Sequence, residues 1–253
     1  MPLYETESFV LKSYDLADAD RIVVFFTREH GIVRGVAKGV KRLKSRFGAL
    51  LEPFSVVDLT FFHKEDRELV NIQSVELVRS SFEAASELAY LSTFSYIAEL
   101  LSTFAPPNDP NEKLYRMVKA VSEIKASNER ELAAVRAYFE LWLLRLGGYW
   151  PELKACAACG REISDTEETM TDSSFRIFCC NCRQVKGNRT LSPEIRRLFG
   201  DIQARSPNDF VTACPATQVV LAEASAIMQR MLEAAAGRTI RVPQFAGDRS
   251  HTR

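Results

Sequence analysis

The hydrophobic period of this chain changes once, near Ser80, and that change divides what the chain can fold into. Before it, segments 4–13 (YETESFVLKS), 20–27 (DRIVVFFT), 31–37 (GIVRGVA), 53–62 (PFSVVDLTFF) and 67–78 (RELVNIQSVELV) are rich in Val, Ile, Phe and Thr. Each is bounded by Gly, Pro or charged turn residues. β-branched and aromatic side chains pack well on a pleated, half-buried surface, so these segments predict strands. Five strands at this spacing predict a small barrel. The connection GVKRLKSRFGALL, between the third and fourth strands, is the longest of the set.

After Ser80 apolar residues recur at three- and four-residue steps. Leu91, Phe94, Ile97, Leu101 and Phe104 form one helix face, with Ser80 and Glu83 as a capping box and Pro106-Pro107 as the stop. Asp109, Pro110 and Glu112 then predict an N-cap, a first helical residue and a return cap. The face Leu114, Met117, Val118, Val121, Ile124 follows. A third helix carries Leu132, Val135, Phe139, Trp142 and Leu146, ended by Gly147-Gly148. Helices resume at Ser192-Pro193, and an Ala-rich helix spans Pro215 to Ala236, with Val219, Ile227 and Met231 among its apolar residues and Gly237 as its end. The chain therefore reads as α+β: a barrel over 1–80, a helical bundle over 81–150 and 190–240, and a separate module over 151–189 inserted between the third and fourth helices. The tail after Val242 is polar.

That inserted module holds most of the sulfur. Cys156-x-x-Cys159 and Cys179-x-x-Cys182 are two CxxC pairs with the spacing of a Cys₄ zinc ribbon. A CxxC turn brings two thiolates onto one cation from a single tight loop, and two such turns complete a tetrahedral shell. Gly160 frees the backbone to bend after the first pair. TMTDSSFRIF offers two short β-prone pieces around Asp172-Ser173-Ser174, so a hairpin can bring the pairs together. The segment has few large apolar residues, so a metal would supply much of its folding energy. Cys180 could replace Cys179, but Cys180-x-Cys182 lacks the turn spacing, so it reads as a spare thiol. Cys214 reads as a small buried residue. Disulfides or unligated thiols are the alternatives for the cluster, and a reducing compartment disfavours the disulfides. Four thiolates leave no open position on zinc, so the site is structural.

Charge points elsewhere. The chain carries 33 Lys and Arg against 33 Asp and Glu, so attraction to polyanions must come from local clustering. Residues 31–50 contain Arg34, Lys38, Lys41, Arg42, Lys44 and Arg46 and no acid. Such a patch attracts backbone phosphates through counterion release, and a five-stranded barrel with a basic loop suits single-stranded nucleic acid. A solvated loop is the bland alternative. Phe47, inside the run, reads as a core plug rather than a stacking platform. Arg183, Lys186 and Arg189, with Arg196 and Arg197, form a second, weaker basic stretch that reads as solvent-facing surface or as an extension of the same track.

Other classes find no support. There is no G-x-x-x-x-G-K-[ST] and no HExxH, and His30, His63 and His251 stand apart from any nucleophile. His30, before Gly31, reads as a turn residue. No apolar run reaches a membrane span, and MPLYETESFV carries no basic region followed by an apolar core, so a cytoplasmic protein is expected.

Three stretches, GIVRGVAKGVKRLKSRFGALLEPF, LRLGGYWPELKACAACG and FCCNC, resemble the bacterial RecO recombination-mediator and DNA-repair family, and the likeness runs in order along nearly the whole chain. The resemblance implies an N-terminal OB-fold, a helical domain and a Cys₄ zinc finger in a bacterial, nucleoid-associated protein. It implies binding of single- and double-stranded DNA, annealing of complementary strands without ATP, and work with RecR. Together the two would load RecA onto DNA coated by single-stranded-DNA-binding protein, whose C-terminal tail the family docks. Arg34, Lys38, Lys41, Arg42, Lys44 and Arg46 fall in the matching basic segment as DNA contacts, and Cys156, Cys159, Cys179 and Cys182 at the zinc positions. No catalysis is implied. A protein-interaction adaptor with weak DNA contact, or a zinc-bearing nucleic-acid enzyme, are the competing classes.

Overall fold

The computed structural model describes residues 2–43, 45–64, 67–80, 87–182 and 189–240. Five N-terminal strands form the expected barrel: β1 (Leu3–Asp15), β2 (Arg21–Thr27), β3 (Gly31–Ala37), β4 (Val56–Phe62) and β5 (Leu69–Arg79). They close in the order β1-β2-β3-β5-β4, with β3 and β5 parallel and every other pair antiparallel. That closed five-stranded arrangement is the OB type.

The barrel fills itself by alternation. Val10, Val23, Phe25, Val33, Val57, Leu59, Phe61, Val70 and Ile72 point inward and are buried together. A short 3₁₀ turn (Gly48–Leu51) closes the end of the barrel, and Phe47 just before it is 1% exposed within the same core. Phe47 is the plug that its position predicts. The alternation is broken once in β1. Register with β2 passes from Val10↔Phe25 to Lys12↔Val24, so Leu11 is an extra residue. Beyond this bulge Ser13 faces the inward Val23 across the pair, and Lys12 and Tyr14 lie on the outer face.

Two helices belong to the same compact unit, residues 1–122 with Ile240 onward. α1 (Leu88–Phe104) buries Tyr90, Phe94, Ile97 and Leu101, and its end at Ala105 precedes Pro106. α2 (Glu112–Ser122) buries Leu114, Tyr115, Val118 and Val121. The outer barrel face meets them: Tyr115 lies 5.5 Å from Phe9 and 5.7 Å from Phe26, ring to ring. Gly31 explains why the chain can turn beneath them. Its φ is +60°, and a Cβ there would sit 2.5 Å from the carbonyl oxygens of Pro106 and Asp109; only glycine fits.

Helix α2 starts later than the sequence suggests. Asn111, not Asp109, caps it: the Asn111 side-chain oxygen accepts from the Leu114 amide at 3.0 Å. The Asn-Asp-Pro-Asn run offers several capping residues, and packing of Leu114 selects the last. The predicted Ser80–Glu83 box lies outside the described residues at Glu83.

The second compact unit spans Glu123–Thr239. Its helices are α3 (Glu129–Leu146), α4 (Pro193–Ala204), α5 (Pro207–Ala213) and α6 (Gln218–Ala236). Each has a side-chain N-cap: Asn128, Ser192, Ser206 and Thr217 accept from the amide three residues on. The Ala-rich helix therefore begins at Gln218, not Pro215. Thr217 supplies a capping oxygen that Cys214-Pro215-Ala216 lacks. Its buried stripe is Val220, Leu221, Ala224, Met228, Met231 and Leu232, while Val219 is 66% exposed. Between α3 and α4 lies a three-stranded sheet, β6 (Thr169–Thr171), β7 (Ile177–Phe178) and β8 (Arg189–Leu191), in the order β7-β6-β8. β6 and β7 are the hairpin expected around Asp172.

Candidate metal centre and nucleic-acid interface

The hairpin folds where the sequence turns tightly. Asp172 Oδ1 accepts from the amides of Ser174 and Arg176 at 3.0 Å each, which shapes the turn between β6 and β7. The strand β7 delivers Cys179 directly after Phe178. The opposite wall is the loop from Cys156 to Gly160. One bond closes the loop on itself, the Gly160 amide to the Cys156 carbonyl at 2.8 Å, and another ties it to β7, the Ala157 amide to the Ile177 carbonyl at 2.8 Å. Gly160 sits at φ +71°, the left-handed turn its position demands.

These turns converge four sulfurs. The Sγ atoms of Cys156, Cys159, Cys179 and Cys182 all lie within 4.8 Å of one another, with Cys159 and Cys179 at 3.9 Å. A tetrahedron with metal–sulfur bonds of about 2.3 Å places its sulfurs about 3.8 Å apart. The set therefore fits a tetrahedral ion such as zinc in both donor chemistry and spacing. Cys180 is outside the four. It is exposed, its amide donates to Glu167 Oε1 at 2.8 Å, and its sulfur faces Arg161 and Asn181.

The acidity of the sulfurs is uneven. Burial works against the Cys156 thiolate, yet the amides of Cys179, Ala158 and Cys159 outweigh it and hold the thiol down to about 6. Cys182 is pushed up to about 12 by the neighbouring sulfurs of Cys179 and Cys159. Negative charge packed this tightly repels itself, and a dication held in the middle would let four thiolates coexist. Arg196 of α4 fastens this module. Its guanidinium donates to the carbonyls of Ser164, at 2.8 Å, and Glu167. Arg196 is thus half-buried, not part of a solvent-facing basic surface. Arg189 and Arg197 are exposed, while Arg183 and Lys186 lie outside the described residues. Cys214 is buried, as expected, and its carbonyl accepts from Arg130 at 2.7 Å.

The basic run 31–50 lies at one edge of the barrel. Arg34 projects from the outer face of β3, and Lys38, Arg42 and Arg46 are exposed beyond it. The Arg46 guanidinium lies over the Phe47 ring, 4.8 Å from its centre, and the residue stays exposed. Lys41 is committed otherwise. Its ammonium lies 3.1 Å from Asp15 Oδ1 and donates to the Ala17 carbonyl at 3.3 Å. Lys44 lies outside the described residues. Two backbone amides hold this loop to the β1–β2 connection: that of Gly39 donates to the Asp20 carboxylate Oδ1 at 2.7 Å, and that of Lys41 to the Ala19 carbonyl at 3.1 Å. Sequence reasoning could not see this clasp, because its partners are far apart in the chain. The result is a cationic edge on a clamped support, able to face a polyanion at several points. His30 is also placed: its amide bonds the Thr27 hydroxyl in the β2–β3 turn, and its ring meets Tyr4 and Phe61 edge-on.

Comparison with known proteins divides the chain at the same point as the change of hydrophobic period. The family model for the recombination protein O N terminus matches residues 1–81, and that for its C terminus matches residues 85–242. DNA repair protein RecO of Geobacter metallireducens is 33% identical over 195 residues, covering 77% of this chain and 78% of that protein. DNA repair protein RecO of Nocardioides sp. is 31% identical over 234 residues, 91% of this chain and 93% of that protein. The protein of the same name from Koribacter versatilis is 28% identical over 233 residues, again 91% and 93%.

Proposed function

The chain belongs to the recombination protein O family, and from that premise we propose that it is a DNA repair and recombination mediator that acts without catalytic chemistry. The barrel, 1–80, is its DNA-binding domain. The helical domain comprises 81–150 and 190–240, and the zinc module 151–189. It binds single- and double-stranded DNA and anneals complementary strands without ATP. With RecR it helps load RecA onto DNA coated by single-stranded-DNA-binding protein, whose C-terminal tail it docks.

The observation that carries this reading is the clamped cationic edge on an OB-type barrel in a chain similar to DNA repair proteins over up to 91% of its length. Arg34, Lys38, Arg42 and Arg46 are exposed there, and Lys41 and Lys44 belong to the same run. Two strands approaching each other repel through their phosphates. Cations that neutralise both strands release counterions and lower that repulsion, so complementary bases can meet. Such an effect needs no nucleotide hydrolysis, which agrees with the lack of a phosphate-binding loop motif.

Cys156, Cys159, Cys179 and Cys182 hold one zinc. Bound there, zinc supplies fold and no Lewis-acid step, because four protein sulfurs fill its shell.

The test is annealing of complementary oligonucleotides without ATP, across a salt series. Changing Lys41, Arg42, Lys44 and Arg46 together to Ala should abolish annealing and flatten the salt dependence of binding. Unchanged annealing would refute the loop assignment. No DNA binding at low salt, with retained capture of an acidic, apolar-ended peptide, would favour a protein-interaction adaptor instead.

A further inference from the structure

Phosphate attraction leaves one feature of the barrel without a role. Past the bulge at Leu11, the outer face of the sheet carries two cross-strand rows. One runs Lys12–Val24–Arg34–Leu69 across β1, β2, β3 and β5; the next runs Tyr14–Ile22–Val36–Asn71. α1 reaches the first row, where Glu99 pairs with Lys12 at 2.8 Å. Tyr14 is 49% exposed, with the Lys12 ammonium 5.7 Å from the centre of its ring, and Ile22 and Val36 beside it are half-buried. Among the described residues, Tyr14 is the one large aromatic of the barrel that is exposed. Leu16 and Leu43, at 47% and 103% exposed, stand on the two loops that flank it.

A half-exposed aromatic at the end of an apolar row offers a flat surface on which another ring can stack, and the charge around it says what kind of partner carries that ring. The rows lie next to Arg34, on the same sheet face, and lead to Lys38 and Arg42 at the end of β3. The loop that carries those cations is bonded to the β1–β2 connection at Ala17, Ala19 and Asp20, just beyond Leu16. Tyr14 and the cations therefore share one held edge. A cationic track beside an aromatic platform matches a strand whose backbone is anionic and whose bases are unpaired. A duplex offers phosphates to the same cations but keeps the faces of its bases stacked internally.

We propose that Tyr14 is the stacking platform for an unpaired base, so that this edge holds single-stranded DNA more tightly than duplex. The inference rests on the DNA-binding reading above and adds to it the residue that separates single from double strands. Ile22 and Val36 extend the apolar floor under the neighbouring sugar.

The experiment measures anisotropy of labelled oligo(dT) and of a hairpin duplex with the same number of phosphates, using the full chain. Tyr14→Ala should weaken oligo(dT) binding about 5- to 150-fold, the range one base–aromatic stack carries. Duplex binding should change less than about twofold. Tyr14→Trp should restore oligo(dT) affinity, and its fluorescence should be quenched on titration. An abasic oligonucleotide should bind the wild type and Tyr14→Ala alike. Equal loss on both DNAs, or no loss on oligo(dT), overturns the proposal. Arg34→Ala with Lys38→Ala serves as the separate control. It should weaken both DNAs, and if it weakens neither, the DNA-binding reading fails whatever Tyr14 does. Melting temperatures of all variants should match, since each changed side chain is exposed.

Discussion

The ammonium of Lys41 lies 3.1 Å from Oδ1 of Asp15, so one cation of the basic run is already paired within the molecule. The same pair, with Arg21, holds the Asp15 carboxyl below its usual range and keeps it ionised. Asp15→Asn should release Lys41 toward solvent and remove an acid from the edge. DNA binding should then tighten, and the slope of log affinity against log salt should steepen by about 0.7 for single strands, one further phosphate neutralised. Lys41→Ala alone should cost less affinity than Arg42→Ala. Filter binding across a salt series checks both; a weaker Asp15→Asn would show that the pair shapes the edge instead of occupying a cation.

The four-sulfur cluster predicts a local consequence. Purified protein should carry one zinc per chain by elemental analysis. Cys159→Ser, or strong chelation, should release it and raise hydrogen exchange through residues 152–182 and into the start of α4, which Arg196 ties to the module. Exchange in β1–β5 should stay as in the wild type, because those strands belong to the other compact unit. Cys180→Ser should leave the zinc content unchanged, its sulfur lying outside the four.

Much of this was legible along the chain, where the governing interactions are local. CxxC turns, a Ser-Pro cap and the hairpin at Asp172 need only neighbours, and they occur where the sequence places them. The outer face of β1 was not legible. Strict alternation through Val10, Lys12 and Tyr14 would put all three on one side. The extra residue at Leu11 moves Lys12 and Tyr14 out, and nothing in SFVLKSY marks a bulge. The starts at Asp109 and Pro215 differ from the structure for two reasons: around Asp109 several oxygens compete and Asn111 caps the helix, whereas the residue before Pro215 carries no side-chain oxygen and Thr217 is the first that can cap. The tie between Lys41 and Asp15 joins distant segments, so it waits on the closed barrel.

A buried acid in the second unit predicts a stability effect without a functional one. Glu140 on α3 is fully buried; it accepts from Arg136 at 3.0 Å and from the Ser225 hydroxyl of α6 at 2.6 Å. Glu140→Ala should destabilise this unit by about 1–3 kcal/mol, because the buried Ser225 hydroxyl loses its acceptor while Arg136 keeps Gln229 and some exposure to water. Glu140→Gln, which keeps one acceptor oxygen, should cost less. Urea unfolding followed by circular dichroism measures the difference, and DNA affinity below the transition should be unchanged.

The barrel's own acid response can be predicted with its sign. Burial disfavours the Glu7 carboxylate, but Lys119 at 2.9 and 3.0 Å and the Tyr115 hydroxyl at 3.0 Å outweigh it, and its folded-state pKa lies below the ordinary 4.5. A lowered carboxyl pKa adds stability that is complete above the unfolded value and is lost as pH falls through the folded one. His30 behaves alike for the opposite chemical reason. Burial beside Tyr4 and Phe61 disfavours its charged form and lowers its pKa below 6.5. Its contribution is likewise complete at high pH and lost on acidification. Stability should therefore hold above about pH 7, begin to fall below 6.5 as His30 gains a proton, and fall again below 4.5 as Glu7 does. The melting temperature difference between wild type and Glu7→Gln should shrink only in the lower step, and that between wild type and His30→Gln only in the upper one. A Glu7→Gln difference that stays constant from pH 7 to pH 3 would mean that the Lys119 contact adds nothing to folding.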